Sequence, residues 1–80
     1  MDAGKTGAYL AALRKARGMT QQEAADQLGV SNKTVSKWEN GAGLPDITVL
    51  PALAELYGVT ADDILAGETL RGRPAESGGE

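Results

Sequence analysis

Five polar residues fall within one six-residue stretch of the sequence: Asn32, Lys33, Thr34, Ser36 and Lys37. Their side chains suit hydrogen bonding to the edges of nucleic-acid bases. An asparagine amide can pair with adenine through one donor and one acceptor, a lysine donates to guanine acceptors, and a threonine methyl group can contact the thymine methyl. A solvated helix face is the alternative for such a run, and the elements that would position it decide between the two.

The residues before this stretch predict two short helices joined by a tight turn. Thr20 and Glu23 have the spacing of a capping box, which places the start of the first helix at about Gln21. Gly29 can adopt the left-handed conformation that ends a helix, and Ser31 can cap the next one. A turn of three or four residues containing glycine is what a helix-turn-helix requires.

The apolar residues of the two helices predict which sides face the core. Ala24, Ala25 and Leu28 share one face of the first helix, and the small alanines allow a close approach. Val35 and Trp38 face inward together in the second helix, predicted over 31–40, and this leaves its five polar residues outward. The capping box, the glycine turn and the inward pair together favour a DNA-reading helix over a solvated face.

With these motifs, residues 5–66 resemble the lambda-repressor and Cro-like helix-turn-helix family, also called the xenobiotic response element (XRE) family. The resemblance is carried by LRKARGMTQQEAADQLGVSNKTVSKWENG and the following LPDITVLPALAELYGVTADDIL. It implies an all-α, compact five-helix domain with the helix-turn-helix at helices 2 and 3. It also implies a transcriptional regulator, more often a repressor, that binds double-stranded operator DNA as a homodimer.

The resemblance also implies a role for individual residues. Gln21 would hold a phosphate and brace the recognition helix, and Asn40 would contact a phosphate. Arg14 and Glu39 would form a partly buried ion pair that ties the first helix to the third, with two solvated charges as the alternative. The base edges would be met by four of the polar residues named above: Asn32, Lys33, Thr34 and Lys37.

The flanking sequence predicts a first helix over 6–17, a fourth over 47–57 and a short fifth through Ala66. Basic residues crowd the end of the first helix, where Arg17 either complements the helix dipole or contacts a phosphate. Pro51 is awkward in the fourth helix, which therefore begins near Thr48 or bends in its first turn. Asp46 would cap this helix, and its inward stripe would be Ile47, Leu50, Leu53, Ala54 and Tyr57.

Both ends of the chain predict little structure. Residues 1–5 are small or polar and are expected to fray. Residues 67–80, GETLRGRPAESGGE, have almost no apolar content and predict a disordered tail or a linker to a further domain. The folded helix-turn-helix domain is therefore expected over residues 6–66.

Composition restricts the chemistry available to these 80 residues. Cysteine and histidine are both absent, which excludes disulfides, cysteine- or histidine-ligated zinc and histidine-based catalysis. We expect no enzymatic activity, no metal and no cofactor, and the sequence identifies no small-molecule effector. No stretch resembles a signal peptide or a membrane span, so we expect a cytoplasmic protein that is associated with the nucleoid when bound to DNA.

The charge distribution is polarised along the chain. The net charge of −3 opposes DNA binding, but residues 1–40 carry six basic and four acidic residues, whereas residues 41–80 carry two basic and seven acidic ones. The recognition helix lies in the positive half, and few cations could reach phosphates, which predicts a shallow salt dependence. A protein-interaction module, such as an antitoxin-like partner, is the alternative that the acidity and the wide apolar face of the fourth helix favour.

Overall fold

The computed structural model describes residues 2–70, and these form five α-helices and one 3-10 helix with no strand among them. The expected all-α, five-helix architecture is confirmed. No helix of this part of the chain is long and apolar enough to cross a membrane. The elements are α1 (Ala3–Ala16), α2 (Gln21–Leu28), α3 (Asn32–Glu39), the 3-10 helix (Ile47–Val49), α4 (Leu50–Tyr57) and α5 (Ala61–Ala66).

Helix α1 begins at Ala3, three residues before the expected start at Thr6. The cause is Asp2, whose carboxylate accepts the backbone N–H of Lys5 at 3.0 Å and so satisfies a donor of the first turn. The expected fraying is therefore wrong for residues 2–5. The far end of the helix falls one residue before the expected Arg17, which is the C-cap.

A short 3-10 helix before α4 explains how the chain accommodates Pro51. A separate 3-10 turn over Ile47–Val49 precedes α4, and Pro51 then lies in the first turn of α4, where its missing N–H costs nothing. The fourth helix expected over 47–57 is thus divided in two, and its α-helical part begins at Leu50 rather than near Thr48. Ile47 does not join the inward stripe and is 76% exposed, because a 3-10 turn rotates its residues away from the α-helical spacing. Asp46 stands at the cap position of this turn without a side-chain capping bond.

All five α-helices contribute to one core. Two apolar residues outside the expected stripe of α4, Val49 and Leu56, pack against it and are partly buried. They therefore cover part of the core. The buried cluster consists of Leu10, Ala25, Val35, Trp38, Leu50, Leu53, Tyr57 and Ile64.

Helix α1 contacts the end of α3 through backbone. Gly7 is buried, and a Cβ atom added to it would overlap the carbonyl oxygen of Trp38 and lie 3.1 Å from that of Glu39. Only glycine permits this approach, because the atoms that would collide belong to the main chain and cannot move aside. The packing of these two helices therefore fixes where α3 lies on the domain.

The segment after α5 folds back onto α1. Gly67 adopts a left-handed conformation with φ of 72°, and the N–H of Leu70 then donates to the Asp63 carboxylate at 3.0 Å. The hydroxyl groups of Tyr9 and Thr69 are hydrogen-bonded at 3.0 Å. The expected tail is thus wrong for residues 67–70, and the rest of it, residues 71–80, lies outside the described residues.

The close contact of α1 with α3 predicts the effect of adding one methyl group. Gly7→Ala should lower the free energy of unfolding by about 1 to 3 kcal/mol, because α1 must shift away from α3. Chemical denaturation followed by circular dichroism measures this loss.

Gly4→Ala is the matched control in the same helix. Its Cβ would meet only a side-chain oxygen of Asp2 at 3.5 Å, an ordinary contact. This variant should be as stable as the original or gain about 0.5 to 1 kcal/mol. Equal stability of the Gly7 and Gly4 variants would show that α1 and α3 do not pack this closely.

Candidate nucleic-acid interface

Local capping forms the helix-turn-helix as the sequence predicts. Thr20 and Glu23 make a complete capping box at the start of α2, and Gly29 ends that helix with φ of 74°. The Ser31 hydroxyl then accepts the N–H of Thr34 at 3.2 Å and begins α3. Ala24 and Ala25 are fully buried, which lets the two helices approach closely.

The polar side of α3 faces away from the core. Val35 and Trp38 are buried, and helical geometry places Lys33, Ser36 and Lys37 opposite them, flanked by the two remaining polar residues. Both lysines are exposed, as is Asn32, whereas Thr34 and Ser36 are half-buried. The hydroxyl groups of Thr34 and Ser31 are hydrogen-bonded to each other at 3.0 Å.

A buried ion pair joins α1 to α3. Arg14 Nε donates to Glu39 Oε2 at 2.7 Å, and Arg14 Nη2 donates to Oε1 at 3.0 Å, which makes the contact bidentate. The two side chains are only 11% and 6% exposed, so the alternative of two solvated charges does not describe them. A further bond from Arg14 Nη1 to the carbonyl oxygen of Met19 at 2.7 Å fixes the turn between α1 and α2.

Gln21 links α2 to the same carboxylate. Its Nε2 atom donates to Glu39 Oε1 at 3.0 Å, and this contact joins the start of α2 to the end of α3. Burial acts to raise the pKa of Glu39, but the hydrogen bonds from Arg14 and Gln21 and the charges of Arg14 and Lys15 outweigh it and lower the pKa. The same pairing raises the pKa of Arg14.

The other two residues expected to contact phosphates differ in position. Asn40 is exposed at the end of α3, and its Nδ2 atom donates to the hydroxyl of Ser36 at 3.3 Å, next to the polar side. Arg17 instead lies beside α4, since a Cβ on Gly58 would be 2.6 Å from its Nη2 atom. Its charge thus sits near the C-terminal ends of α1 and α4, where helix dipoles favour a cation.

Sequence reasoning missed two residues of α2 that are linked to Asn32, Gln22 directly and Asp26 through Gln22. Asn32 Nδ2 donates to Gln22 Oε1 at 2.9 Å, and Gln22 Nε2 donates to Asp26 Oδ1, also at 2.9 Å. The spacing of Gln22 and Asp26, four residues apart on a helix, is a recognisable signal for their mutual bond. The contact between Gln22 and Asn32 depends on how α2 crosses α3, which no local spacing reveals.

The buried ion pair predicts how stability changes with Glu39→Gln. The variant leaves the Arg14 guanidinium buried without a counter-charge and should lose about 3 to 5 kcal/mol of unfolding free energy at pH 7. Glu55→Gln, at an exposed position of α4, is the matched control and should change stability little.

The difference between wild type and the Glu39 variant should depend on pH. The pKa of Glu39 is lower in the folded protein than its ordinary value of 4.5, so the stabilisation is complete above that value and is lost as the pH falls through the folded-state pKa. Denaturation from pH 7 to pH 3 should therefore show the two stabilities converging. A constant difference across this range would contradict the ion pair.

Comparison with known proteins shows which family and which relatives this chain resembles. A family model described as helix-turn-helix matches residues 10–64. The chain is 41% identical over 58 residues to the HTH-type transcriptional activator BcrR of Enterococcus faecalis, covering 72% of this chain and 28% of that protein. It is 36% identical over 55 residues to the phage CTXphi transcriptional repressor RstR of Vibrio cholerae, covering 69% and 49%.

Three further similarities concern length and fold. The Bacillus subtilis regulator YazB is 31% identical over 68 residues, which cover 85% of this chain and 99% of that one. The solved structure of the clp gene regulator ClgR from Corynebacterium glutamicum matches with a TM-score of 0.72 at 25% identity, over 84% and 87% of the two chains. That of HppE with substrate matches with a TM-score of 0.71 at 26% identity, over 80% of this chain but 36% of HppE.

The extent of these matches differs from relative to relative. The chain spans 28% of BcrR and 56% of the Bacillus subtilis regulator YonR, so much of each of these two proteins has no counterpart here. The family match over residues 10–64 contains both α2 and α3. On the family match and the identity to YazB, the chain belongs to the helix-turn-helix family of the XRE type.

Proposed function

We propose that this chain binds a specific double-stranded operator sequence and regulates transcription, with α3 inserted in the major groove. The observation that carries the proposal is the polar side of α3, which faces away from the core and is held to α1 and α2 through Glu39. The rest of the domain holds this helix rigidly, and its polar side chains already face outward. It can therefore enter a groove without reorganising, so little binding free energy is lost in ordering it.

The side chains divide by the contact they would make. Lys33, Ser36 and Lys37 lie at the centre of the polar side and would reach base edges first, with Asn32 and Thr34 at its margins. Gln21, Asn40 and Arg17 would contact phosphates and set the register of the domain on the duplex. Of these three, the position of Asn40 beside Ser36 gives the strongest support and that of Arg17 beside Gly58 the weakest.

The assembly that we propose is a two-fold homodimer. The recognition helices of such a dimer would enter half-sites about 34 Å apart, which matches one turn of the duplex. Two copies would also offset the small number of cations on one reading face, since each copy adds its own phosphate contacts. We further propose repression by occupancy of the operator, in the cytoplasm and on the nucleoid, without enzymatic activity.

The alternative of a protein-interaction module has lost part of its support. It rested on the wide apolar face of the fourth helix, and the off-stripe residues Val49 and Leu56 are used to cover the core. The similarity to BcrR and RstR, named as a transcriptional activator and a repressor, favours DNA binding.

Substitutions on α3 should separate base contacts from phosphate contacts. Lys33→Ala should cost about 1 to 3 kcal/mol on the preferred duplex and relax the choice of base at one position, and Asn32→Ala should do the same. Gln21→Ala should weaken binding to all duplexes alike. Fluorescence anisotropy with duplexes changed one base pair at a time measures both effects.

Lys15→Ala is the control for Lys33→Ala, because it removes the same charge from an exposed position on α1. It should leave the choice of base unchanged. An equal loss on preferred and random duplexes for Lys33, Asn32 and Gln21 variants alike would contradict the assignment of base contacts.

A further inference from the structure

We propose that Asp26 and Gln22 are positioning residues that fix the direction of the Asn32 amide and thereby set which base Asn32 selects. The inference rests on the proposed function, in which Asn32 meets a base edge. It concerns two residues of α2 that need not touch DNA. The structure connects them in one chain of hydrogen bonds, Asp26 to Gln22 to Asn32, with both distances 2.9 Å.

The hydrogen-bonding capacity of each group determines the direction of the next. An ionised carboxylate only accepts, so the Gln22 group that faces Asp26 must be its NH₂. The Gln22 carbonyl oxygen then points the other way, towards α3. Because this oxygen also only accepts, the Asn32 group that faces it must be the Asn32 NH₂. A single charge on α2 therefore orders two amides that could each otherwise turn over.

The ordered amide presents a defined pattern to the groove. One N–H of Asn32 is used by Gln22, which leaves the second N–H and the carbonyl oxygen. This combination of one donor and one acceptor matches the N7 acceptor and N6 donor of adenine. Were the amide turned over, its oxygen would face Gln22 and its two N–H donors would face the groove, a pattern that matches the N7 and O6 acceptors of guanine.

The backbone around these residues keeps the relay in register. Gln22 lies in the first turn of α2, and Asn32 is the first residue of α3, directly after the Ser31 cap. The buried Ala24 and Ala25 hold the two helices at a fixed separation. The neighbouring glutamine, Gln21, is engaged elsewhere, with Glu39, so Gln22 is the amide on α2 that meets Asn32.

Reversing the charge at the start of the relay tests this directly. In Asp26→Lys the ammonium group only donates, so Gln22 should present its oxygen to Lys and its NH₂ to the oxygen of Asn32. Asn32 would then offer two donors to the base. Glu55→Lys makes the same change in charge at an exposed site on α4 and controls for the general gain in affinity for DNA.

The measured quantity is the ratio of affinities for adenine and guanine at the operator position where Asn32→Ala abolishes discrimination. We expect wild type to prefer adenine by about tenfold or more. Asp26→Lys should shift this ratio towards guanine by about tenfold, and Gln22→Ala should reduce it towards one. Glu55→Lys should leave the ratio unchanged, as should Asp26→Lys in a protein that already carries Asn32→Ala.

A readout without DNA accompanies the binding data. The side-chain amide resonances of Asn32 in ¹⁵N NMR spectra of the free protein should move in Asp26→Lys and should be insensitive to that change once Gln22→Ala is present. An unchanged base ratio in both the Asp26 and Gln22 variants, in a protein that does discriminate through Asn32, would overturn the relay alone. Wild type that shows no base preference at any position would instead overturn the proposed function.

Discussion

One buried carboxylate, that of Glu39, holds α3 in place against α1 and α2. It receives three hydrogen bonds, two from Arg14 on α1 and one from Gln21 on α2. Removing a carboxylate from water costs desolvation free energy. The hydrogen bonds that the ionised carboxylate accepts from Arg14 and Gln21 offset this cost. The position of α3 relative to the rest of the domain therefore depends on this contact, together with the close approach at Gly7.

The same network explains how a chain with a net charge of −3 can present a face suited to DNA. Glu39 is the acidic residue of α3, yet it is nearly buried and neutralised by Arg14, so it does not repel phosphates from the outward side. Lys33 and Lys37 stand there without a facing acid on their own helix. The polar side of α3 thus lacks a negative charge because the Glu39 carboxylate is buried against Arg14.

The sequence predicted the parts of the fold that local rules control. The capping box at Thr20, the helix end at Gly29 and the cap at Ser31 are short-range patterns, and each stands where it was expected. The predictions that were wrong concern features that depend on contacts between distant parts of the chain or on a local 3-10 turn. The 3-10 turn exposed Ile47, and the fold-back of residues 67–70 depends on α1, which that segment does not adjoin in sequence.

The candidate site follows the same division. The outward polar residues follow from helical spacing, and the pairing of Arg14 with Glu39 came from a family resemblance rather than from any local signal. The contact of Gln22 with Asn32 was not predictable, because it depends on the crossing of α2 over α3. Selection of bound duplexes from a random pool is the most direct measurement of whether this helix reads DNA. Enrichment of a palindrome with half-sites about 34 Å apart is the predicted result, and no enrichment at low salt would contradict it.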